Sequence, residues 1–329
     1  MRFDVARAYH LAWRVGHRVP GPVVRALTTL GADVAWWRRG SGVRRLEANL
    51  ARVRPELDPA ALRRLSRAGM RSYMRYFGET LTLRGSGPDR IAARVRTTGD
   101  APVRALLADG HEVVLALGHM GNWDLAGAWA TAHLGHVTTV AERLEPEELF
   151  QEFLAFRESI GLTIIPLTGG GDVFRQLVRV ARGGPGILPL LADRDLTAKG
   201  VEVDLFGRRA RVAAGPAALA VSTGAPLVPA AITYERLHGA RRRAAGTPWG
   251  IVITFLPRVE VPADLSRAQQ LQAVTQGWVD ALAGAIHARP QDWHMLQRVF
   301  VEDLDPARDA ARRAAAPADP VAGGTEDAS

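Results

Sequence analysis

From about residue 90 onward the chain alternates short β-rich runs with helical stretches, and this alternation limits its possible folds more than any other feature. The apolar runs are "EVVLALG", "VTTVAER", "LTIIPLT", "GILPLLAD", "PLVPAAITYE" and "GIVITFLP". Among them stand "WDLAGAWATAHL", "PEELFQEFLAFRESIG", "GDVFRQLVRVARG", "AGPAALAVSTG" and "SRAQQLQAVTQGWVDALAGAIHARP". Strands alternating with helices predict an α/β core, a central sheet flanked by helices, over residues 89–304. The hydrophobic share, 47%, is enough to fill such a core, and the 33 Gly and 20 Pro are scattered as turn residues.

Residues 1–88 have a different texture. Phe3, Val5, Ala8, Leu11, Ala12, Val15 and Val19 form an apolar stripe at helical spacing, with Arg2, Arg7, Arg14, His17 and Arg18 largely off it. The next segment, "VVRALTTLGADVAWWRRG", ends in Trp36, Trp37, Arg38 and Arg39. Aromatic rings followed by arginines suit a membrane interface, although a core-facing amphipathic helix carries the same pattern. Residues 43–84 read as two further helices, the second entered through Asp58 and Pro59. Beyond about residue 305 the chain is small, polar and punctuated by Pro and Gly, which predicts a disordered tail. The expected division is therefore membrane-associating amphipathic helices packed on the core over 1–88, the α/β core over 89–304, and a tail over 305–329.

The net charge is +8, and the excess is arginine. Such a balance favours an anionic partner (nucleic acid, an anionic membrane surface or a phosphorylated substrate), or simply reflects arginine-rich coding. A nucleic-acid binder needs a stacking platform or a helix-turn-helix pattern beside its basic residues, and neither is found. The absence of cysteine excludes disulfides, thiolate metal sites and cysteine nucleophiles, and fits a reducing compartment. No uninterrupted apolar stretch of about 18 residues occurs, and the N-terminus lacks an apolar core and cleavage site of a signal peptide. The expectation is a mature protein facing the cytosol, without a spanning segment.

The stretch "VVLALGHMGNWDLAGAW" concentrates the chemistry. A buried strand ends, Gly118 and Gly121 permit a tight exit, and Asn122 is a plausible N-cap with Asp124 in the first helical turn. His119 thus lies at the carboxyl end of a strand, where open α/β sheets bind ligands. A neutral imidazole there is a competent general base, and Asp124 could fold back to hold it. A loop histidine satisfied by a backbone carbonyl is the plainer alternative. Asp193, Arg194 and Asp195 follow another apolar run, "ILPLLA". If the two strands are neighbours, Asp193 can approach His119 as an orienting carboxylate. Otherwise these residues form a surface salt-bridge loop.

The blocks "GHMGNWDLAGAW", "TTVAERLEPEELFQEFLAFRESIGLTIIPLTGG", "LLADRDLTAKGVEVDLFG", "AAGPAALAVSTGAPLVP" and "DWHMLQ" resemble the phosphatidylinositol mannoside acyltransferases, within the wider group that includes the lipid A late acyltransferases. The resemblance runs in matching order from about residue 5 to 300. It implies a glycerolipid-acyltransferase-like fold and a peripheral enzyme on the cytoplasmic face of the cell membrane. Such an enzyme moves a long acyl chain, typically palmitoyl, from acyl-CoA to the 6-hydroxyl of a mannose on phosphatidylinositol mannoside. Acyl-CoA is then a co-substrate, with no further cofactor and no metal. The family's base maps onto His119, the acid of its His-x4-Asp motif onto Asp124, and its second carboxylate onto Asp193. The family carries Glu at that last position; Asp is one methylene shorter, so the contact must be closer or bridged by water. Acyl-donor contacts map onto His119, Arg157, Lys199 and Ser222, the last replacing a Glu. Glu142 and Arg194 are further candidates.

The chemistry of the residues agrees with that implication. Acyl transfer to an alcohol needs a base and donors for the tetrahedral oxyanion. None of the nine histidines forms an H-E-x-x-H zinc pattern, G-x-S-x-G is absent, and "LTGGGD" lacks the Lys-Ser/Thr of a P-loop and reads as a turn. No "FPEGTR"-like block of a glycerol-phosphate acyltransferase occurs. A lipid A precursor remains the alternative acceptor. A palmitoyl chain gains about 0.8 kcal/mol for each methylene buried, so an apolar groove is expected beside His119, with Leu125, Ala126 and Trp129 as a candidate wall.

Overall fold

The computed structural model describes residues 19–142, 147–167, 172–195 and 200–304, together with Ala307 and Ala310. The expectations for residues 1–18, the Gly-rich turn, Lys199 and most of the tail lie outside the described residues. Three helices come first: α1 (Gly21–Arg38), α2 (Ser41–Val53) and α3 (Pro59–Leu83). Asp58 caps α3 by accepting from the Ala61 N–H at 2.7 Å, with Pro59 pre-setting the first turn. The helix α4 (Pro88–Arg94) then leads into the sheet.

The core follows the alternation in the sequence. Its strands are β1 (Val95–Thr98), β2 (Glu112–Leu117), β3 (Val137–Glu142), β4 (Leu162–Leu167), β5 (Gly186–Leu191), β6 (Val201–Leu205), β7 (Arg208–Val212), β8 (Leu227–Arg236) and β9 (Trp249–Phe255). The helices between and after them are α5 (Ala101–Ala108), α6 (Trp123–His133), α7 (Glu147–Ser159), α8 (Asp172–Ala181), α9 (Gly215–Thr223), α10 (Gly239–Ala245) and α11 (Arg267–Ala288). Seven strands form one mixed sheet in the order β1-β9-β8-β2-β5-β3-β4. β2, β3, β4, β5 and β8 run parallel to one another, while β9 is antiparallel to β8 and carries β1 alongside it. Every residue of β2 is buried, because helices cover both faces of the sheet at its centre. Six helices and strands escaped the sequence reading: α4, α5 and α10, and β1, β6 and β7. The edge strand β1 is four residues long, and β6 and β7 form a separate antiparallel hairpin around the left-handed pair Phe206 and Gly207.

The N-terminal helices are tied to the core by buried polar contacts. Asn49 of α2 donates to the carbonyls of Met295 and Gln297 at 2.8 and 2.9 Å, and Arg94 pairs with Glu79 of α3 at 2.8 Å. On the outward face of α1, Val23, Leu27, Leu30, Val34 and Trp37 are exposed, Trp37 at 75%. The expectation that Trp36 and Trp37 act together is corrected here. Successive helical residues point about 100° apart, and Trp36 turns inward, donating Nε1–H to Ser66 Oγ at 2.9 Å beneath the Arg63 guanidinium. Among the described residues no helix is long and apolar enough to cross a membrane.

Gly121 shows how closely the exit of β2 is packed. Its φ is +58°, and a Cβ there would lie 2.5 Å from the Ile232 carbonyl oxygen. Gly121→Ala should therefore lower stability by about 1–3 kcal/mol, read as a fall in the urea midpoint without a change in slope.

Candidate active site

β2 and β5 are adjacent and paired in register from Glu112–Gly186 to Leu117–Leu191, so both chains leave the sheet at the same level. His119 follows one strand by two residues and Asp193 follows the other by two. The Ala192 N–H donates to the Leu117 carbonyl at 2.8 Å and holds the two exits together. Gly118 keeps them close: a Cβ there would stand 3.3 Å from Asp193 Oδ2 and 3.1 Å from Leu282.

Asp193 contacts His119 directly, with Nδ1 to Oδ1 at 2.5 Å, so the shorter carboxylate leaves no gap for water. Its second oxygen accepts from the His119 backbone N–H at 2.9 Å and from Trp293 Nε1–H at 2.8 Å. Asp193 is 3% exposed. Burial alone would raise its pKa. The His119 charge, together with the hydrogen bonds from the imidazole, Trp293 and the His119 backbone, outweighs that and holds the carboxyl below its ordinary value. With Nδ1 engaged, Nε2 is the ring nitrogen left for a substrate, and the side chain keeps 22% exposure.

Asp124 does not hold the imidazole, contrary to the simple reading of the His-x4-Asp spacing. It is buried, accepts from Tyr76 Oη–H at 2.7 Å and pairs with Arg157 Nε at 2.9 Å. The reason is local. Asn122 caps α6 by accepting from the Leu125 N–H at 2.9 Å, and the first turn of α6 then directs Asp124 toward α3 and α7. Asn122 also donates to Glu79 Oε2 at 2.8 Å. The helix that follows His119 is thus bound to α3 at two points.

The "DWHMLQ" block, which the resemblance marked without assigning roles, closes the site from behind. The Gly121 N–H donates to the Asp292 carbonyl at 3.0 Å, Met120 bridges Trp293, and the His294 N–H donates to the His119 carbonyl at 2.7 Å. His294 is buried and lies against Ser72 Oγ at 3.0 Å. Burial, reinforced by the charges of Arg75 and His119, pushes its pKa down to about 3 and keeps the ring neutral. Trp293, His294 and Tyr76 were missed as site residues because their partners lie far away in sequence; an aromatic-histidine pair in a late loop was the available signal.

The other candidates are dispersed. Arg157 is mostly buried with Nε on Asp124; burial would lower its pKa, but the charges and hydrogen bonds of Asp124 and Tyr76 together outweigh that and raise it, so it stays firmly protonated. Arg194 is partly exposed beside Asp193, and Glu142 ends β3 with its side chain outside the described residues. The Ser222 hydroxyl donates to the Ala218 carbonyl of its own helix at 2.6 Å. Leu125, Ala126 and Trp129 are not a groove wall: all three are buried against the sheet with Phe156 and Leu162. A small apolar void, about large enough for one water molecule, borders Asp193 and is lined by Leu205, Val212, Trp278, Val279, Leu282 and Ile286. Among the described residues no group of His, Cys, Asp and Glu is arranged to hold a metal ion.

Residues 4–302 match the model of the family described as bacterial lipid A biosynthesis acyltransferase, the class of protein that this fold and site define. The chain is 37% identical over 304 residues to the phosphatidylinositol mannoside acyltransferase of Mycolicibacterium smegmatis, covering 92% of this chain and 93% of that one. It is 38% identical over 312 residues to that of Mycobacterium tuberculosis, covering 93% and 92%. The chain belongs to this acyltransferase family and, within it, to the phosphatidylinositol mannoside acyltransferases.

Trp293 can be tested through pH. Trp293→Phe removes one donor from the Asp193 carboxylate, so its pKa rises toward the ordinary value. Activity at neutral pH should fall about tenfold, because the carboxylate that orients the imidazole loses one of its three donors. Because a depressed carboxyl pKa stabilises the fold above its unfolded pKa, acid unfolding should also begin at higher pH than in the wild type.

Proposed function

We propose that this acyltransferase moves a long acyl chain, palmitoyl as the reference case, from acyl-CoA to the 6-hydroxyl of a mannose in phosphatidylinositol mannoside. The carrying observation is the His119–Asp193 pair at the carboxyl rim of β2 and β5, with Nδ1 engaged and Nε2 available. In this reading Nε2 removes the proton of the attacking hydroxyl, and the alkoxide oxygen adds to the thioester carbonyl. The C–S bond then breaks, the new C–O ester bond remains, and the imidazolium returns its proton to the departing CoA thiolate. Asp193 holds the ring and stabilises the imidazolium without itself taking the proton. Since a thioester is already activated, base assistance and oxyanion stabilisation suffice, without an acyl-enzyme.

Arg157 fixes Asp124, and through it the start of α6, and with Lys199 and Ser222 is a candidate donor contact; Arg194 and Glu142 are further candidates without an assigned partner. The same reading places the enzyme on the cytoplasmic face of the membrane. The supporting feature is the exposed stripe on α1, where Leu27 and Leu30 are 61% and 62% exposed and Arg38 follows at the helix end. The division into N-terminal membrane-associating helices over 1–88, a catalytic core over 89–304 and a tail is part of this proposal.

His119→Ala should reduce acyl transfer by about 10²–10⁴-fold with an unchanged circular dichroism spectrum. The assay is mass spectrometry of the acylated mannoside formed from palmitoyl-CoA. A variant retaining a third of wild-type turnover would remove the imidazole from the mechanism. For the membrane contact, the triple substitution Leu27→Ser, Leu30→Ser and Trp37→Ser should weaken sedimentation with anionic vesicles by at least about tenfold, since each burial is worth about 1.5–3 kcal/mol. These side chains are exposed, so the melting temperature should hold.

A further inference from the structure

β8 continues past the rim of the sheet. Its Ala230 pairs with Leu117 at the end of β2, and β8 then runs on to Arg236. At about 3.3 Å per residue, Tyr234 stands about 13 Å beyond the level at which the His119 loop departs. This overhang pairs with the start of β9, where Trp249 faces Arg236 and Ile251 faces Tyr234. Guanidinium groups gather on these two rings. Arg75 lies 3.6 Å from the Trp249 centroid and 4.6 Å from that of Tyr234, and Arg236 lies 4.6 Å from Trp249 on its own account. Arg75 is one helical turn from Ser72, whose hydroxyl contacts His294 beside His119. The arginines therefore begin at the site and lead away from it.

Carboxylates do not balance this group. Arg75, Arg236 and Arg242 form no ion pair with a carboxylate among the described residues, while the nearby acids are engaged elsewhere. Glu79 holds Arg94 and Asn122, Glu235 holds Arg241 and Arg96, and Asp292 accepts from Ser72 and the Tyr234 N–H. Like charges held together on rigid elements, two of them stacked on one indole, are arranged for an anion that the protein does not itself supply.

We propose that Arg75 and Arg236 on Trp249, with Arg242 on α10 in the connection from β8 to β9, form the binding site for the phosphodiester of the acceptor lipid headgroup. The proposal deepens the functional reading above and rests on it for the identity of the acceptor. In a phosphatidylinositol mannoside one inositol ring separates the phosphate from the mannose, so a phosphate on the β8–β9 overhang lets the sugar extend back toward His119. In the sheet order β8 and β9 flank β2 on one side, while β5, which leads to Asp193, lies on the other. Arginine suits the task because its planar fork binds phosphate oxygens in pairs.

The test uses the full chain and the double variant Arg236→Gln/Arg242→Gln, both positions being exposed. Two acceptors are compared with palmitoyl-CoA as donor: phosphatidylinositol monomannoside and a long-chain alkyl α-mannoside without phosphate. The variant should raise KM for the phosphorylated acceptor about tenfold to a hundredfold and erase the wild type's preference for it over the alkyl mannoside. The KM for palmitoyl-CoA should not move. A raised palmitoyl-CoA KM with an unchanged acceptor KM would assign the arginines to the donor and overturn the proposal, as would equal losses on both acceptors. Calorimetry with glycerophosphoinositol gives a reading independent of turnover: the wild type should bind it and the variant should not. Absence of wild-type binding overturns the site, and so does displacement by inorganic phosphate at the same concentration, which would make it a site for free phosphate. Retained headgroup binding without acyl transfer to either mannoside would instead refute the functional reading and leave the anion site standing.

Discussion

The arrangement of the site depends on one buried carboxylate. Asp193 receives three donors: the His119 imidazole, the His119 backbone N–H and the Trp293 indole. Removing a carboxylate from water is expensive, and a buried ion pair by itself is weak evidence of stability. What the three contacts accomplish is orientation. They select the ring nitrogen that faces outward, fix the backbone of the His119 loop, and bring the late Trp293 segment against the end of β2. None of the three survives if β2 and β5 lose their register, so the central strands and the site are one construction.

A second layer of polar contacts joins that site to the N-terminal helices. Tyr76 and Arg157 converge on Asp124, and Glu79 links Asn122 to Arg94. Their consequence is positional as well as energetic. α3 carries Ser72, Tyr76 and Glu79, which touch His294, Asp124 and Asn122. It also packs against α1, whose outward face presents exposed apolar side chains. The surface proposed to meet lipid is therefore two helices away from the His119 loop, and a shift of α1 would be felt there through α3.

Much of this was legible along the chain because it is governed by local rules. The six apolar runs became strands, the helical stretches between them became helices, and the Asp58 and Asn122 caps formed as their residue types require. The short helices α4, α5 and α10 were missed, and the strands β1, β6 and β7 were missed for opposite reasons. β1 is too short for a periodic signal, and the β6–β7 hairpin is so rich in arginine and acid that its alternation reads as a charged loop.

The sequence by itself determined that a histidine would stand at a strand end, beside a capped helix, with a carboxylate after a second strand. Those placements follow from nearest-neighbour physics: apolar runs, glycine exits and a capping side chain. Only the tertiary structure decided which acid meets the imidazole. Asp124 is five residues from His119 and Asp193 is seventy-four, yet the in-register pairing of β2 with β5 brings the distant one to 2.5 Å. The first turn of α6, meanwhile, carries the near one away to Arg157 and Tyr76. The gathering of Arg75 and Arg236 on Trp249 is likewise a product of strand order, since those three residues share no local pattern. Proximity between distant residues depends on how strands are ordered and how helices cross, and no rule acting within a few residues encodes it.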